Sequence, residues 1–375
     1  MKERVLSGTE RLDWIRLART SRVGPVTFAQ LLRRYRDASS ALAALPKLAR
    51  RGGGKIGDIP STDEARAELD ATEAAGGTLL MACEPAFPKL LRALDPPPPL
   101  ISVLGHVRML GEPCVAIVGS RNASAIGRRF AQDVARDVGA AGFVVVSGLA
   151  RGIDAAAHRG ALATGTIAVV AGGLKHVYPP EHAALFAEIA AQGAVVSENP
   201  YAYEPTARDF PRRNRLISGL SAGVVVIEAA ERSGSLITAR FAGEQGREVM
   251  AAPGSPLDPR ARGANRLIRD GAILIESGAD VIDVLRGSPL GRAEEPDWRA
   301  YEEAPMDDAA LEAEADRVRE RVWELLSPTP THKDEIIRFA EASPAAVLAA
   351  LVELELAGRA VLLPAGRAAR RDGET

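Results

Sequence analysis

From residue 113 onward, short apolar runs alternate with amphipathic stretches of helical period. The runs are Cys114–Val118, Phe143–Val146, Ile167–Ala171, Ala194–Val196, Val224–Ile227 and Val249–Ala251. They are continuous rather than alternating and rich in Val and Ile, the pattern of strands buried on both faces of a parallel sheet. Regular β-α alternation predicts right-handed crossovers and an open, doubly wound, mostly parallel α/β sheet. Upstream, residues 9–50 read as helices: Thr9–Thr20, the turn Arg22-Val23-Gly24-Pro25-Val26, then Phe28 to Tyr35. Gly52-Gly53-Gly54 is expected to loosen the chain, and the prolines that follow Asp95 to stiffen it. Beyond an acidic, Pro-containing linker, Ser288–Asp308, come helices Ala309–Leu326, His332–Ala340 and Pro344–Ala357, then a hairpin around Pro364. Three helices and a β-wing predict a winged helix. The expected division is an N-terminal helical domain (1–75), the α/β domain (76–287), a linker (288–308), the winged helix (309–366) and a basic tail (367–375).

Composition narrows the function classes. Hydrophobic residues make up 46% and charged residues 26% of the 375, which fits folded domains rather than disorder. The formal net charge is −2, so any nucleic-acid binding must rest on local clusters. Cys83 and Cys114 lie far apart, which argues against a disulfide framework or a zinc site. No apolar run approaches the roughly 18 residues of a membrane span, and the start, MKERVLSGTERLDW, is charged, so a cytoplasmic chain with no membrane partner is expected. The five histidines are scattered without ligand spacing, and no metal or cofactor is expected. His158 alone follows a candidate binding loop, and packing or capping is its expected role rather than catalysis.

In an open parallel sheet the ligand site lies beyond the carboxyl ends of the strands. The residues there are Gly119-Ser120-Arg121, Ser147-Gly148 with Arg151-Gly152, Gly172-Gly173, and Ser233-Gly234-Ser235. Glycine admits close backbone approach, helix N-termini offer free N–H groups, and Arg adds a planar fork for phosphate. Several such turns on one sheet edge suggest a ligand with several phosphates. The segment Phe210-Pro211-Arg212-Arg213-Asn214-Arg215 adds an aromatic face for base stacking beside three guanidinium groups. At least one of those arginines is expected to be structural. Enzymatic motifs are missing: Gly54-Lys55 is followed by Ile56, so there is no P-loop; the first turn is not G-x-G-x-x-G; Ser147 stands where a ribose-binding acid would. No catalytic residue is assigned. The last helix of the winged unit carries Glu353 and Glu355 and no Lys or Arg, and is poorly suited to the major groove.

Taken in order, Gly119-Ser120-Arg121, SGLARGIDAAAH (Ser147–His158), Tyr178-Pro179, Ser197-Glu198, FPRRNRLISGLS (Phe210–Ser221), EAAERSGSLITA (Glu228–Ala239) and GANRLIRDGA (Gly263–Ala272) resemble the DNA-processing protein A (DprA/Smf) family. The likeness spans roughly Pro85–Leu285, and the flanking units resemble the helical (SAM or helix-hairpin-helix-like) and winged-helix domains of longer members. It implies a Rossmann-like fold, protection of incoming single-stranded DNA in natural transformation, loading of the RecA recombinase and homodimerisation. The implied pocket comprises Gly119, Ser120, Arg121, the Ser147–Gly152 loop, and Phe210 with Arg212–Arg215. Leu174 and Lys175 follow the paired glycines where many members carry an acid, which adds Lys175 as a candidate contact. Two other readings stay open: a phosphoribohydrolase-like nucleotide hydrolase using Asp154, Glu198 or Glu228, and a scaffold binding only proteins.

Overall fold

The apolar runs become the strands of one large sheet. The computed structural model describes residues 3–288, 308–363 and 366–371, and the chain forms two compact units. Helices α1 (Gly8–Arg19), α2 (Pro25–Tyr35) and α3 (Ala38–Arg51) open the chain, and α4 (Thr62–Ala74) leads to the sheet. Strand β1 (Gly77–Met81), the short α5 (Lys89–Arg92) and β2 (Leu100–Gly105) precede the first parallel strand, β3 (Cys114–Gly119). Then follow α6 (Ala125–Ala140), β4 (Val144–Ser147), α7 (Ile153–Ala161), β5 (Thr166–Val169), α8 (Ala183–Gln192), β6 (Ala194–Ser197), α9 (Asp209–Gly219) and β7 (Gly223–Ile227). The unit closes with α10 (Gly234–Glu244), β8 (Glu248–Ala251), α11 (Arg262–Arg269), β9 (Ile273–Leu274) and α12 (Gly278–Gly287).

The sheet has nine strands in the order β1-β2-β6-β5-β4-β3-β7-β8-β9. From β6 to β9 all neighbours are parallel, while β2 pairs antiparallel with both β1 and β6. The order reverses direction at β3, with β4 on one side and β7 on the other, so the crevice of a doubly wound sheet lies there. Val115, Ile117, Val145, Val225 and Ile227 cluster with side chains of α6, α7 and α12, and Ala168, Val170 and Val195 with those of α8. Each fully buried Val or Ile contributes roughly 1.5–3 kcal/mol. β1, β2 and β9 are absent from the sequence reading: β9 is two residues long, and the proline run before β2 masks the strand that follows it.

The second unit joins α1–α3 to the C-terminal elements α13 (Asp308–Leu325), β10 (Thr331–His332), α14 (Lys333–Ala340), α15 (Pro344–Leu356), β11 (Ala360–Leu363) and β12 (Arg367–Arg370). Three helices and a β10-β12-β11 sheet make the winged helix. The hairpin tip at Pro364, and all but the ends of the linker 288–308, lie outside the described residues. The glycine-rich stretch does not loosen the chain but closes α3, with Gly52 and Gly54 N–H groups donating to Leu48 and Ala49 carbonyls at 3.0 Å each. Glu312 takes Arg51 at 2.6 Å, Lys47 at 2.9 Å and Arg34 at 3.0 Å. Glu353, fully buried on α15, takes Arg319 at 2.6 Å and Arg51 at 3.0 Å. These two acids on the last helices therefore anchor the N-terminal helices. Of the expected basic tail, Arg367–Arg370 form β12 of the wing, and Arg370 is stacked on Trp323 at 4.1 Å.

Glu355, also buried on α15, accepts from the Thr27 hydroxyl and from Leu362 N–H at 2.8 Å. Burial pushes its carboxyl up to about 7, so the folded unit retains a proton that the unfolded chain releases nearer 4.5. The stability this confers is full below the unfolded value and is lost as pH rises through the folded one. Thermal stability of this unit should thus fall between about pH 4.5 and about pH 7. Glu355→Gln is expected to flatten that slope in calorimetric melts; an unchanged slope would clear this carboxyl of the role.

Candidate nucleic-acid interface

The site grows from the loops at the β3, β4, β5 and β7 ends. Gly119 ends β3 where a Cβ would meet the Ile227 carbonyl at 1.9 Å, so only glycine lets β3 and β7 close up there. Gly152 starts α7 at φ +78°, and a Cβ would lie 2.2 Å from the Ser120 carbonyl. Ile153 N–H then donates to that carbonyl at 3.2 Å, which locks the β3 and β4 loops together. Two non-glycine residues take left-handed backbone here: Leu149 (φ +58°) and Glu228 (φ +49°). Such geometry is uncommon and persists only where surroundings impose it. Glu228 uses it to hold Ser124 at the start of α6, accepting from its N–H at 2.8 Å and from its hydroxyl.

Beneath the loops lies a buried ionic core. The Asp154 carboxylate accepts from Gly148 N–H at 3.1 Å and Ala150 N–H at 3.3 Å. The Arg213 guanidinium donates to the Gly148 carbonyl at 2.9 Å and to the Val169 carbonyl. Burial pushes Asp154 up and Arg213 down to about 10, and the charge of each opposes the shift of the other. His158 is fully buried, its Nδ1 2.8 Å from the Thr166 hydroxyl, and burial holds it down to about 3; it packs as a neutral ring.

Above that core, the exposed rim is different in kind. The Arg121 guanidinium lies 5.6 Å from the Phe210 ring centroid, and the Tyr178 ring meets Phe210 edge-on at 5.1 Å. Phe210 is half-buried, Tyr178 is 48% exposed, and Arg121, Lys175 and Arg212 are exposed. Arg151, also exposed, pairs with Glu181. Tyr178 is the member of this cluster that the sequence reading did not list as a contact. Its only signal was its place after the paired glycines, on the β5 loop that also carries Lys175.

The expected contact set therefore divides. Arg121 and Phe210 form the rim, Gly119, Ser120 and Gly152 shape its loops, and exposed Lys175 and Arg212 lie on the β5 loop and on α9, which carry Tyr178 and Phe210. Ser147 is fully buried, with its hydroxyl donating to the Ile117 carbonyl at 2.6 Å. Arg213 belongs to the ionic core, and Arg215 is tied to Glu198. The arginine segment is the first turns of helix α9, so successive arginines point to different sides. Asn214 reaches the Ser233-Gly234-Ser235 turn instead, its Nδ2 donating to the Gly234 carbonyl at 3.1 Å. Ser233 caps α10 and shares a 2.7 Å hydroxyl contact with Ser235, which is buried.

Fold and site together define a Rossmann-like binding protein flanked by a helical and a winged-helix segment. The family model described as DNA recombination-mediator protein A matches residues 78–286. A DprA-like N-terminal HHH domain matches 8–71, and a DprA winged helix domain matches 305–366. The chain belongs to this DprA/Smf family. Protein Smf of Escherichia coli K12 is 40% identical over 282 residues, covering 74% of this chain and 73% of that protein. Protein Smf of Synechocystis is 34% identical over 305 residues, with 76% and 75% covered. The crystal structure of DNA processing protein A from Streptococcus pneumoniae superposes with a TM-score of 0.61 at 32% identity, covering 76% of this chain and 98% of that one. A solved structure of DNA processing protein A from Helicobacter pylori, described for its single-stranded DNA binding mode, gives 0.52 at 30% identity, covering 56% and 95%.

Proposed function

We propose that this chain binds single-stranded DNA at the carboxyl edge of its parallel strands and, as a homodimer, delivers it to the RecA recombinase during transformation and recombination. The observation that carries the DNA reading is the exposed rim in which Arg121 lies over Phe210 and Tyr178 abuts it. Stacking on such faces contributes about 1–3 kcal/mol per base whatever the sequence, and only a single strand offers splayed bases. Arg121, Lys175 and Arg212 supply the cations that its phosphates need. The relative from Helicobacter pylori, described for binding single-stranded DNA, supports the same ligand here. Family membership supports the hand-over to RecA. Pairing of two copies is supported by β9, the outermost strand, which leaves Ile273 and Leu274 exposed.

Hydrolysis would require a carboxylate free to act on substrate. Asp154 is engaged by backbone N–H groups and Arg213, Glu198 by Arg215, and Glu228 by Ser124, which favours binding over the hydrolase reading. Fluorescence anisotropy on equal lengths of single strand and duplex tests the proposal. Single strand should bind more tightly, and log K should fall with log salt by about 0.7 for each phosphate neutralised. Equal affinity for duplex, or a flat salt response, would overturn it.

A further inference from the structure

One basic side chain at these strand ends differs from the rest. Arg121, Lys175 and Arg212 carry no ion pair among the described residues, whereas the Arg151 Nε donates to a carboxylate oxygen of Glu181. That hydrogen bond is the main reason the Arg151 guanidinium is held above its usual range and the Glu181 carboxyl below its own. Both side chains stand largely in water, 61% and 48% exposed. The Arg215–Glu198 pair is covered instead, at 12% and 22%. An ion pair open to water on both sides adds little to stability and parts readily. The fold therefore does not depend on Glu181 staying on Arg151.

The backbone around the pair is fixed, so that only the side chains are free to separate. Arg151 stands between Leu149 at φ +58° and Gly152 at φ +78°. Leu149 is fully buried, and its carbonyl accepts from the His182 ring at 2.9 Å, which fastens the β4 loop to the 3₁₀ turn Pro180–His182. Gly152 is seated on the turn after β3, where a Cβ would lie 2.2 Å from the Ser120 carbonyl and 2.8 Å from that of Arg121. Glu181 belongs to the 3₁₀ turn, three residues after Tyr178, whose ring meets Phe210 at 5.1 Å. The Tyr178 phenol is close enough to act on the charge of Arg151. Arg151 thus adjoins the turn that carries Arg121, and Glu181 the segment that carries Tyr178.

We infer that Glu181 is a resident competitor for phosphate at Arg151: its carboxylate holds the guanidinium in the free protein and is displaced by a backbone phosphate of a strand seated on the Phe210 rim. The inference rests on the single-strand reading of that rim and adds the residue that sets how tightly the β4 loop takes the strand. In the exchange the guanidinium gives up a carboxylate oxygen, gains phosphate oxygens in the two-bond geometry its fork favours, and leaves Glu181 to water. Stacking on the rim keeps the phosphates beside Arg151, an advantage of local concentration that a loose anion lacks. What opposes the exchange is the Glu181 charge, which stays beside the phosphate that replaced it.

The test is a double-mutant cycle on the full chain: wild type, Glu181→Gln, Arg151→Ala and the two combined. Each is titrated with a labelled oligothymidylate of about thirty nucleotides, longer than the usual site sizes of single-strand binders. Glu181→Gln is expected to tighten binding about threefold, the scale of an exposed ion pair. Arg151→Ala should weaken it, with a salt slope shallower by about 0.7 for the one phosphate contact removed. On top of Arg151→Ala, the glutamine should change nothing. An equal gain in that background would overturn the inference, because Glu181 would then repel the strand wherever it lies. Unchanged or weaker binding by Glu181→Gln alone would overturn it too, as would a wild-type salt slope in Arg151→Ala. Circular-dichroism melts should agree among the four proteins; an early melt in Glu181→Gln would make the pair a structural one and end the competitor reading. Wild-type protein that does not bind the probe would instead refute the single-strand reading itself.

Discussion

Arg121→Glu combined with Arg212→Glu is expected to weaken single-strand binding by about a hundredfold or more, equivalent to about 2.7 kcal/mol, while the fold stays intact. Both side chains are exposed, and surface reversals of that kind usually change stability within roughly 0.5 kcal/mol. In the complex each reversal removes a charge-assisted bond to phosphate and sets a carboxylate against the same anion. Arg121 is also expected to extend the stacking platform, because its planar guanidinium lies over Phe210. Arg121→Lys should therefore recover only part of the loss: the charge returns but the flat fork does not. Anisotropy with parallel circular-dichroism melts checks this. Folded double variants that bind as wild type would mean that the strand does not cross this rim.

A different outcome is expected one residue along. Arg213→Ala should destabilise the α/β unit by about 3–5 kcal/mol, because it strips the buried Asp154 carboxylate of its counter-charge and leaves the Gly148 and Val169 carbonyls without their donor. For a unit of this size that is a drop on the order of 10 °C in melting temperature. Adding Asp154→Asn to that variant should restore part of the loss, since no charge then stays buried, and a double-mutant cycle measures the coupling. Loss of binding without loss of stability would move Arg213 from the ionic core to the DNA surface.

The architecture was legible because it is written in local pattern. Six runs such as Val224–Ile227 are apolar without alternation, which only a two-sided environment tolerates, and each returned as a parallel strand. The turns of the site were legible too, since Gly119 and Gly152 stand where no Cβ fits. What the residues alone left open was the assignment of like side chains to unlike roles. Arg212, Arg213 and Arg215 look equivalent in the sequence, yet α9 turns one outward, one into the ionic core and one onto Glu198. Ser147 and Ser120 follow strands in the same way, but only Ser147 is fully buried. Glu353 and Glu355 gave reason to doubt groove insertion by α15. It took the folded second unit to show them buried, one held by Arg51 and the other by Thr27, both from the opposite end of the chain. Periodicity reports whether a position is covered; it carries no record of which distant residue covers it, and in this protein that decides whether a charge binds a ligand or builds the core.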